Sequence, residues 1–114
     1  MKVDRQIIFY KNHFWDFYSS VIDKTKDKID FVLSLIKTVE KIPLKFFKHI
    51  EDTDGLYEIR VEVGSNIYRI FCCFDQSNLV VLFNGFHKKS QKTPRQEIAL
   101  AEKLKKEYFE TKGK

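Results

Sequence analysis

A cationic stretch in the last third of the sequence has the residue types that bind an anion. The segment NGFHKKSQKTPRQ, residues 84–96, contains Lys88, Lys89, Lys92 and Arg95 and no acidic residue. It follows an apolar run and precedes a predicted helix, so the lysines would lie beside a helix N-terminus, where backbone dipoles and cations jointly favour an anion. Fixed cations also stabilise negative charge that develops during a reaction. The stretch therefore indicates a phosphate-binding loop.

Two arginines lie in predicted strands just before this stretch. Arg60 alternates with apolar residues and faces the more polar side of its strand, whereas Arg69 interrupts an almost wholly apolar strand. An arginine in such a run is costly unless it has a partner or lines an opening. Two interpretations stay open: a pair with Glu58 or Glu62 across a hairpin, or a phosphate ligand on an open sheet face.

The net charge of +5 is concentrated at one end of the chain. Residues 1–83 contain 12 Lys or Arg and 12 Asp or Glu, while residues 84–114 contain 9 and 4. A local basic region favours a polyanionic partner such as nucleic acid, although a solvated basic surface is the alternative.

Composition predicts one folded domain over residues 1–114, with the last few residues as a disordered tail. The chain is 43% apolar and 15% aromatic, which suits a single core at this length. The N-terminal segment has charges inside any window long enough for a signal-peptide core, and no apolar run approaches the roughly 18 residues of a membrane span. We expect a cytoplasmic protein that does not bind a membrane.

The cysteines and histidines do not indicate a metal site. Cys72 and Cys73 are adjacent in a predicted strand, where neighbouring side chains point to opposite faces, so we expect two reduced packing residues. His13, His49 and His87 have no partners at ligand spacing. We predict neither a metal nor a cofactor.

Periodicity predicts three helices. Asn12 is a cap for a first helix, and Thr25 is a cap for a second that ends before Pro43. Thr93 is the predicted cap of the last helix, with Pro94 at its first helical position.

Four strands are predicted as well. A short strand covers residues 5–10, and three strands joined by tight turns cover residues 56–63, 66–74 and 79–86 as an antiparallel meander. Residues 44–55 show no period and are predicted to be a connector. The fold class is therefore α+β in the order β-α-α-β-β-β-α, with the helices packed on one face of a mainly antiparallel sheet.

The segments GLYEIR, IYRIF and NGFHKKSQKTP resemble the strand and loop signatures of the phage Gp49-like toxins, a branch of the RelE/HigB superfamily of type II toxin–antitoxin systems. The resemblance covers roughly residues 55–110. It implies a RelE-like fold and a ribosome-associated mRNA endonuclease that inhibits translation. Such enzymes need no metal and attack the scissile phosphate with the preceding 2′-OH. The implied partners are mRNA, the ribosome and a cognate antitoxin, expected to carry a helix-turn-helix domain as HigA does.

The resemblance also implies roles for individual residues. Arg60 and Arg69 match the sheet arginines of the family and would hold the phosphate. The other predicted catalytic residues belong to the basic loop and its start: His87, Lys88, Lys89 and Lys92. His87 is a natural proton shuttle because the ordinary pKa of histidine lies near neutrality. Residues predicted to bind RNA or phosphate are Tyr68, Gln91 and Arg95, and Glu58 is a candidate for orienting Arg60 or the 2′-OH.

Two alternatives keep the same fold. A ParE-like toxin inhibits DNA gyrase and cleaves no RNA, and a catalytically inactive member would bind only RNA or the antitoxin. A basic scaffold from an unrelated family would keep the charge but not the two arginines in their strands.

Overall fold

Five strands form one sheet in the computed structural model, which describes residues 2–113. In chain order the elements are β1 (Gln6–Phe9), α1 (His13–Ser20), α2 (Asp23–Thr38), β2 (Phe47–His49), β3 (Leu56–Val63), β4 (Asn66–Phe74), β5 (Leu79–Lys88) and α3 (Arg95–Thr111). The predicted C-terminal tail includes Lys114, which lies outside the described residues.

The strand order is β1-β5-β4-β3-β2, with β1 parallel to β5 and the other pairs antiparallel. The α+β class and the meander from β3 to β5 are thus confirmed. The sheet also contains β2, which lies inside the segment predicted to be a connector. Its three residues are too few to show an alternating pattern, and Phe47 is held by its pairing with Ile59.

The helices cover both faces of the sheet, so the prediction of a single covered face is wrong. The face of Ile59 and Ile70 packs against α1 and α2, and the face of Phe71 and Cys73 packs against α3. β4 is almost wholly buried. A strand whose successive side chains are nearly all apolar needs cover on both sides, which explains the second layer.

Two of the three helix starts differ from the predicted caps. Asn12 does precede α1, but α2 begins after Ile22 and buries Thr25, and α3 begins after Pro94 rather than after Thr93. The residues that precede the three helices make no side-chain capping hydrogen bond. They are Asn12, Ile22 and Pro94. Tertiary packing, more than capping, places these helices.

The adjacent cysteines lie on opposite faces, as predicted. Cys72 packs with the α1 and α2 side and Cys73 with the α3 side, and both are free and buried. Burial raises the pKa of Cys73 to about 11 and that of Cys72 well above its ordinary value. Both thiols are therefore protonated packing groups at neutral pH.

Within residues 2–113, each helix is too short or too polar to cross a bilayer.

A buried carboxylate anchors the end of α3 to the turn between β4 and β5. Asp75 accepts a hydrogen bond of 2.6 Å from the Tyr108 hydroxyl and bonds of 2.8 and 2.9 Å from Lys112 Nζ. These two donors lower the pKa of Asp75, while burial and the bond to Asp75 raise the pKa of Tyr108 to about 12.

The anchor predicts a pH dependence of stability. Because the folded-state pKa of Asp75 is depressed, its contribution to stability is present above about pH 4, the unfolded value, and is lost as the pH falls through the folded value. We expect the urea midpoint of the Asp75→Asn variant to fall less than that of the wild type between about pH 7 and about pH 3. Equal losses in both proteins would show that Asp75 is not the titrating group.

A close contact between α1 and β5 predicts the effect of a single methyl group. A Cβ atom on Gly85 would lie 2.5 Å from Phe17 Cδ2 and 2.8 Å from its Cγ. Because overpacking forces side chains and backbone to shift, we expect Gly85→Ala to lower the free energy of unfolding by about 1–3 kcal/mol. The cost measured by urea denaturation should shrink in the background of Phe17→Ala, which removes the contacting Cγ and Cδ2 atoms, and a cost unaffected by that change would contradict the packing explanation.

Candidate functional site

Two arginines and one carboxylate form the centre of a charged cluster on the α3 face of the sheet. Arg60 and Arg69 lie directly opposite each other in the β3–β4 pairing, which places both side chains on the same face. Glu58 lies two residues before Arg60 and faces the same side. Its Oε2 atom lies 3.1 Å from Arg60 Nε and 3.3 Å from Arg69 Nε. One carboxylate thus bridges two guanidinium groups.

The two arginines differ in exposure. The side chain of Arg60 is 30% exposed, whereas that of Arg69 is 2% exposed. Of the two interpretations left open by the sequence, the structure therefore contains the pair of Arg69 with Glu58. A phosphate can reach Arg60 directly but reaches Arg69 only if the surrounding side chains move.

The bridging contacts leave donor capacity on the arginines. Both contacts of Glu58 are ion pairs, yet neither Nε atom has a well-aligned hydrogen-bond partner among residues 2–113. Arg69 Nη1 donates to the carbonyl of Tyr68 at 3.1 Å, and Arg60 Nη1 is 3.5 Å from the carbonyl of Leu44. Neither guanidinium makes a bidentate pair with a carboxylate in this part of the chain, so the exposed fork of Arg60 can accept an anion.

Lys88 extends the cluster at the end of β5. It is paired with Ile67, the residue two before Arg69, so its side chain faces the same side of the sheet as the arginines. Burial lowers the pKa of Lys88, and the positive charges of Arg69 and Arg60 lower it further, while Glu58 opposes the shift. The structure therefore places three of the predicted catalytic residues on one face of the sheet, and two of them, Arg60 and Arg69, are ion-paired with Glu58.

Tyr68 and His87 lie on the other face of the same two strands. They are a directly opposite pair, with ring centroids 4.8 Å apart and an interplanar angle of 26°. Tyr68 is buried, and its ring also packs against that of Phe17, with centroids 6.0 Å apart. The alternation of side chains along a strand thus separates these predicted residues from Arg60, Arg69 and Lys88.

A hollow at the end of the sheet is lined by four of the predicted site residues, His87, Lys88, Lys89 and Gln91. It has a volume of about 540 Å³ and lies between the β3–β4 turn and the basic loop, and its lining residues are Ser65, Ile67, His87, Lys88, Lys89, Ser90 and Gln91. His87 and Lys88 therefore both line one hollow although their strand positions face opposite sides of the sheet.

The remainder of the basic loop is exposed. Lys92 and Arg95 are solvent-exposed and do not line this hollow. Ser90 Oγ donates to the carbonyl of Lys92 at 2.9 Å, which closes the loop on itself. The structure thus places Lys89 and Gln91 beside Lys88 but leaves Lys92 and Arg95 farther along the loop, where they can contribute a positive field.

Glu58 has a larger part than the sequence predicted. Its pairing with Arg69 was one of two alternatives, and its spacing of two residues from Arg60 was the available signal for the second contact. The bridging position follows from the hairpin register, which sequence spacing on one strand does not specify.

Among residues 2–113, no three His, Cys, Asp or Glu side chains come together as a potential metal site.

The cluster predicts a coupling between Glu58 and Lys88. Because the negative charge of Glu58 raises the pKa of Lys88, we expect Glu58→Gln to lower that pKa further. NMR titration of the lysine side chain measures the shift. Glu62→Gln removes a charge from the same strand and is the matched control, with a smaller effect expected. An unchanged or raised pKa of Lys88 in Glu58→Gln would refute the coupling.

Comparison with known proteins identifies the family of the chain. A search of the curated proteins gives no match. The sequence profile of the family described as "Phage derived protein Gp49-like (DUF891)" matches residues 16–106, which include α2, every residue of the charged cluster and most of α3. The match extends over most of the chain, and the protein therefore belongs to the phage-derived Gp49-like family.

Proposed function

We propose that this protein is the toxin of a type II toxin–antitoxin system and that it cleaves mRNA on the ribosome. Membership of the Gp49-like family, which is associated with RelE- and HigB-like toxins, is compatible with a toxin of this kind. The observation that carries the proposal is the pairing of Arg60 and Arg69 with the single carboxylate of Glu58, with Lys88 on the same face of the sheet at the end of β5. The cluster has an excess of positive charge beside a basic loop, as phosphate binding requires.

The chemistry is an attack of the ribose 2′-oxygen on the adjacent phosphorus. The new O–P bond forms as the bond from phosphorus to the 5′-oxygen of the next nucleotide breaks, leaving a 2′,3′-cyclic phosphate and a 5′-hydroxyl. One proton leaves the 2′-OH and one is delivered to the departing 5′-oxygen. In this mechanism Arg60 binds the phosphate, and Lys88 and Lys89 stabilise the charge that accumulates on its oxygens.

Proton transfer is assigned to groups around the 540 Å³ hollow. Lys88 is the proposed donor to the leaving oxygen, because a lysine whose pKa is lowered gives up its proton more readily. His87 lines the same hollow and is the proposed acceptor of the 2′-OH proton. Arg69 acts indirectly in this mechanism. Its buried side chain pairs with Glu58, and its positive charge lowers the pKa of Lys88.

The proposed partners follow from this activity. The basic loop, with Lys92, Gln91 and Arg95, would bind the RNA backbone, and Tyr68 would act through His87, on which its ring stacks. A cognate antitoxin, proposed to carry a HigA-like helix-turn-helix domain, would neutralise the toxin by covering the cationic site.

The direct test is incubation of the purified protein with translating ribosomes and mapping of the mRNA ends. We expect new ends that carry a 2′,3′-cyclic phosphate. Inhibition of gyrase supercoiling with intact mRNA would instead establish the ParE-like alternative. Binding of RNA or antitoxin without cleavage would establish the inactive module.

Substitution of Lys88 tests its catalytic role. Removal of one transition-state donor typically costs on the order of 10² to 10³ in rate, so we expect Lys88→Met to lose cleavage by about that factor while remaining folded. Lys103→Ala removes an exposed lysine of α3 and is the control, with a rate near that of the wild type. A Lys88→Met rate within about threefold of the control would exclude Lys88 from the chemical step.

A pair of conservative substitutions separates the two arginines. Because lysine lacks the planar fork of arginine, Arg60→Lys should lose most cleavage with little change in melting temperature. Arg69→Lys should mainly lower the melting temperature, because Arg69 is buried against Glu58. Cleavage per folded molecule and thermal unfolding are measured on both variants. The reverse pattern would make Arg69, and not Arg60, the phosphate ligand.

A further inference from the structure

A second cationic surface lies at the outer edge of β3, and Arg60 is the one residue that it shares with the proposed reaction site. β2 pairs only with Tyr57–Ile59, so the later part of β3 lacks a strand partner on this side. The chain before β2 runs past this edge, and the Arg60 amide donates to the carbonyl of Phe46 at 2.8 Å. A hollow of about 190 Å³ results, and its lining residues are Lys28, Lys45, Phe46, Arg60, Glu62 and Gly64.

Two aromatic rings and two lysines flank this hollow. Lys28 Nζ lies 5.5 Å from the ring centroid of Phe31, and Lys45 Nζ lies 5.5 Å from that of Phe46. The two rings contact each other edge to face, with centroids 6.3 Å apart and an interplanar angle of 79°. Phe31 is 49% exposed. We call Lys28, Phe31, Lys45, Phe46 and Arg60 the β3-edge patch.

The composition of the β3-edge patch matches single-stranded nucleic acid. An isolated exposed apolar residue needs no explanation, but here an exposed ring is combined with cations that converge on one hollow. Proteins bind single strands by stacking bases on aromatic side chains and by pairing the backbone with nearby cations. Three cations and one carboxylate line the hollow, so its charge suits phosphate. An apolar protein partner would not require these lysines.

Arg60 connects the β3-edge patch to the charged cluster. Its guanidinium approaches Glu58 at 3.1 Å, and the same side chain lines the 190 Å³ hollow. Arg60 and Lys88 also face the same side of the sheet, so a strand of RNA whose phosphate contacts Arg60 can extend towards Lys88 in one direction and towards the patch in the other.

We propose that the β3-edge patch binds the single-stranded RNA that flanks the scissile phosphate. Phe31 stacks on a base, Lys28 and Lys45 bind backbone phosphates, and Arg60 joins this surface to the reaction site. The inference rests on the proposed RNA-cleaving function and adds a second contact region to it.

Binding of non-cleavable 2′-O-methyl RNA tests this inference. Fluorescence anisotropy is measured with oligonucleotides of about 4 and about 12 nucleotides, lengths within the range of known single-strand sites. We expect the longer RNA to bind the wild type more tightly and the Lys28→Ala/Lys45→Ala variant to narrow that difference. In the same variant, the slope of log affinity against log salt should become less negative by about 1.4, since each phosphate contact on a single strand contributes about 0.7.

A second variant tests stacking separately from charge. Phe31→Leu keeps an apolar side chain but removes the ring, and we expect it to weaken binding of the longer RNA about tenfold with an unchanged salt slope. The matched control is Lys37→Ala/Lys103→Ala, which removes two exposed lysines outside the patch and should bind as the wild type does.

The outcomes distinguish this inference from the proposed function. Failure of the wild type to bind either RNA would overturn the β3-edge patch, whereas the proposed function is overturned separately, by intact mRNA after incubation with translating ribosomes. Binding of both RNAs with the same affinity in wild type and Lys28→Ala/Lys45→Ala would overturn the β3-edge patch alone. An equal loss in the Lys37→Ala/Lys103→Ala control would also overturn it, because the effect would then be one of general surface charge.

Discussion

The bridging of Arg60 and Arg69 by Glu58 is the interaction on which the site depends. Arg69 is 2% exposed inside a sheet covered on both faces, and a buried guanidinium without a counter-charge would be strongly destabilising. Glu58 supplies that counter-charge from the neighbouring strand. The same carboxylate holds the partly exposed Arg60 and opposes the lowering of the Lys88 pKa. A structural pair in the sheet therefore also sets the electrostatics at its surface.

The sheet determines which side chains can act together. Arg60, Arg69 and Lys88 face α3, while Tyr68 and His87 face the opposite side and stack on each other. The 540 Å³ hollow at the end of the strands is where His87 and Lys88 meet a common space. A substrate phosphate near the strand ends can contact groups from both faces, whereas one over the middle of the sheet cannot.

Much of this arrangement was predictable from local pattern. The alternation in β3 placed Arg60 opposite to Ile59 and Val61, and tight turns predicted the antiparallel meander, both of which the structure confirms. The position of α3 on the second face was not predicted, because an apolar helix stripe does not specify which face it covers. β2 depends on pairing with Ile59 rather than on its own three residues.

The distribution of charge along the sequence did not predict the β3-edge patch. Lys28 and Lys45 belong to residues 1–83, where acidic and basic residues are equal in number. Only folding brings Lys28 beside Phe46, and both lysines beside Arg60. The segregation of charge along the sequence thus located the basic loop but not this second surface, because the latter is assembled from α2, β3 and the segment between α2 and β2.

We propose that the cluster around Glu58 supports an attack by the ribose 2′-oxygen on the adjacent phosphorus of RNA. The most direct measurement compares cleavage of an mRNA by the ribosome-bound protein with cleavage of the same mRNA carrying a single 2′-deoxy nucleotide immediately 5′ of the scissile phosphate. We predict that the all-ribose message is cut to a 2′,3′-cyclic phosphate and that the substituted message is not cut at that position. Cleavage of both messages at equal rates, or of neither, would contradict this mechanism.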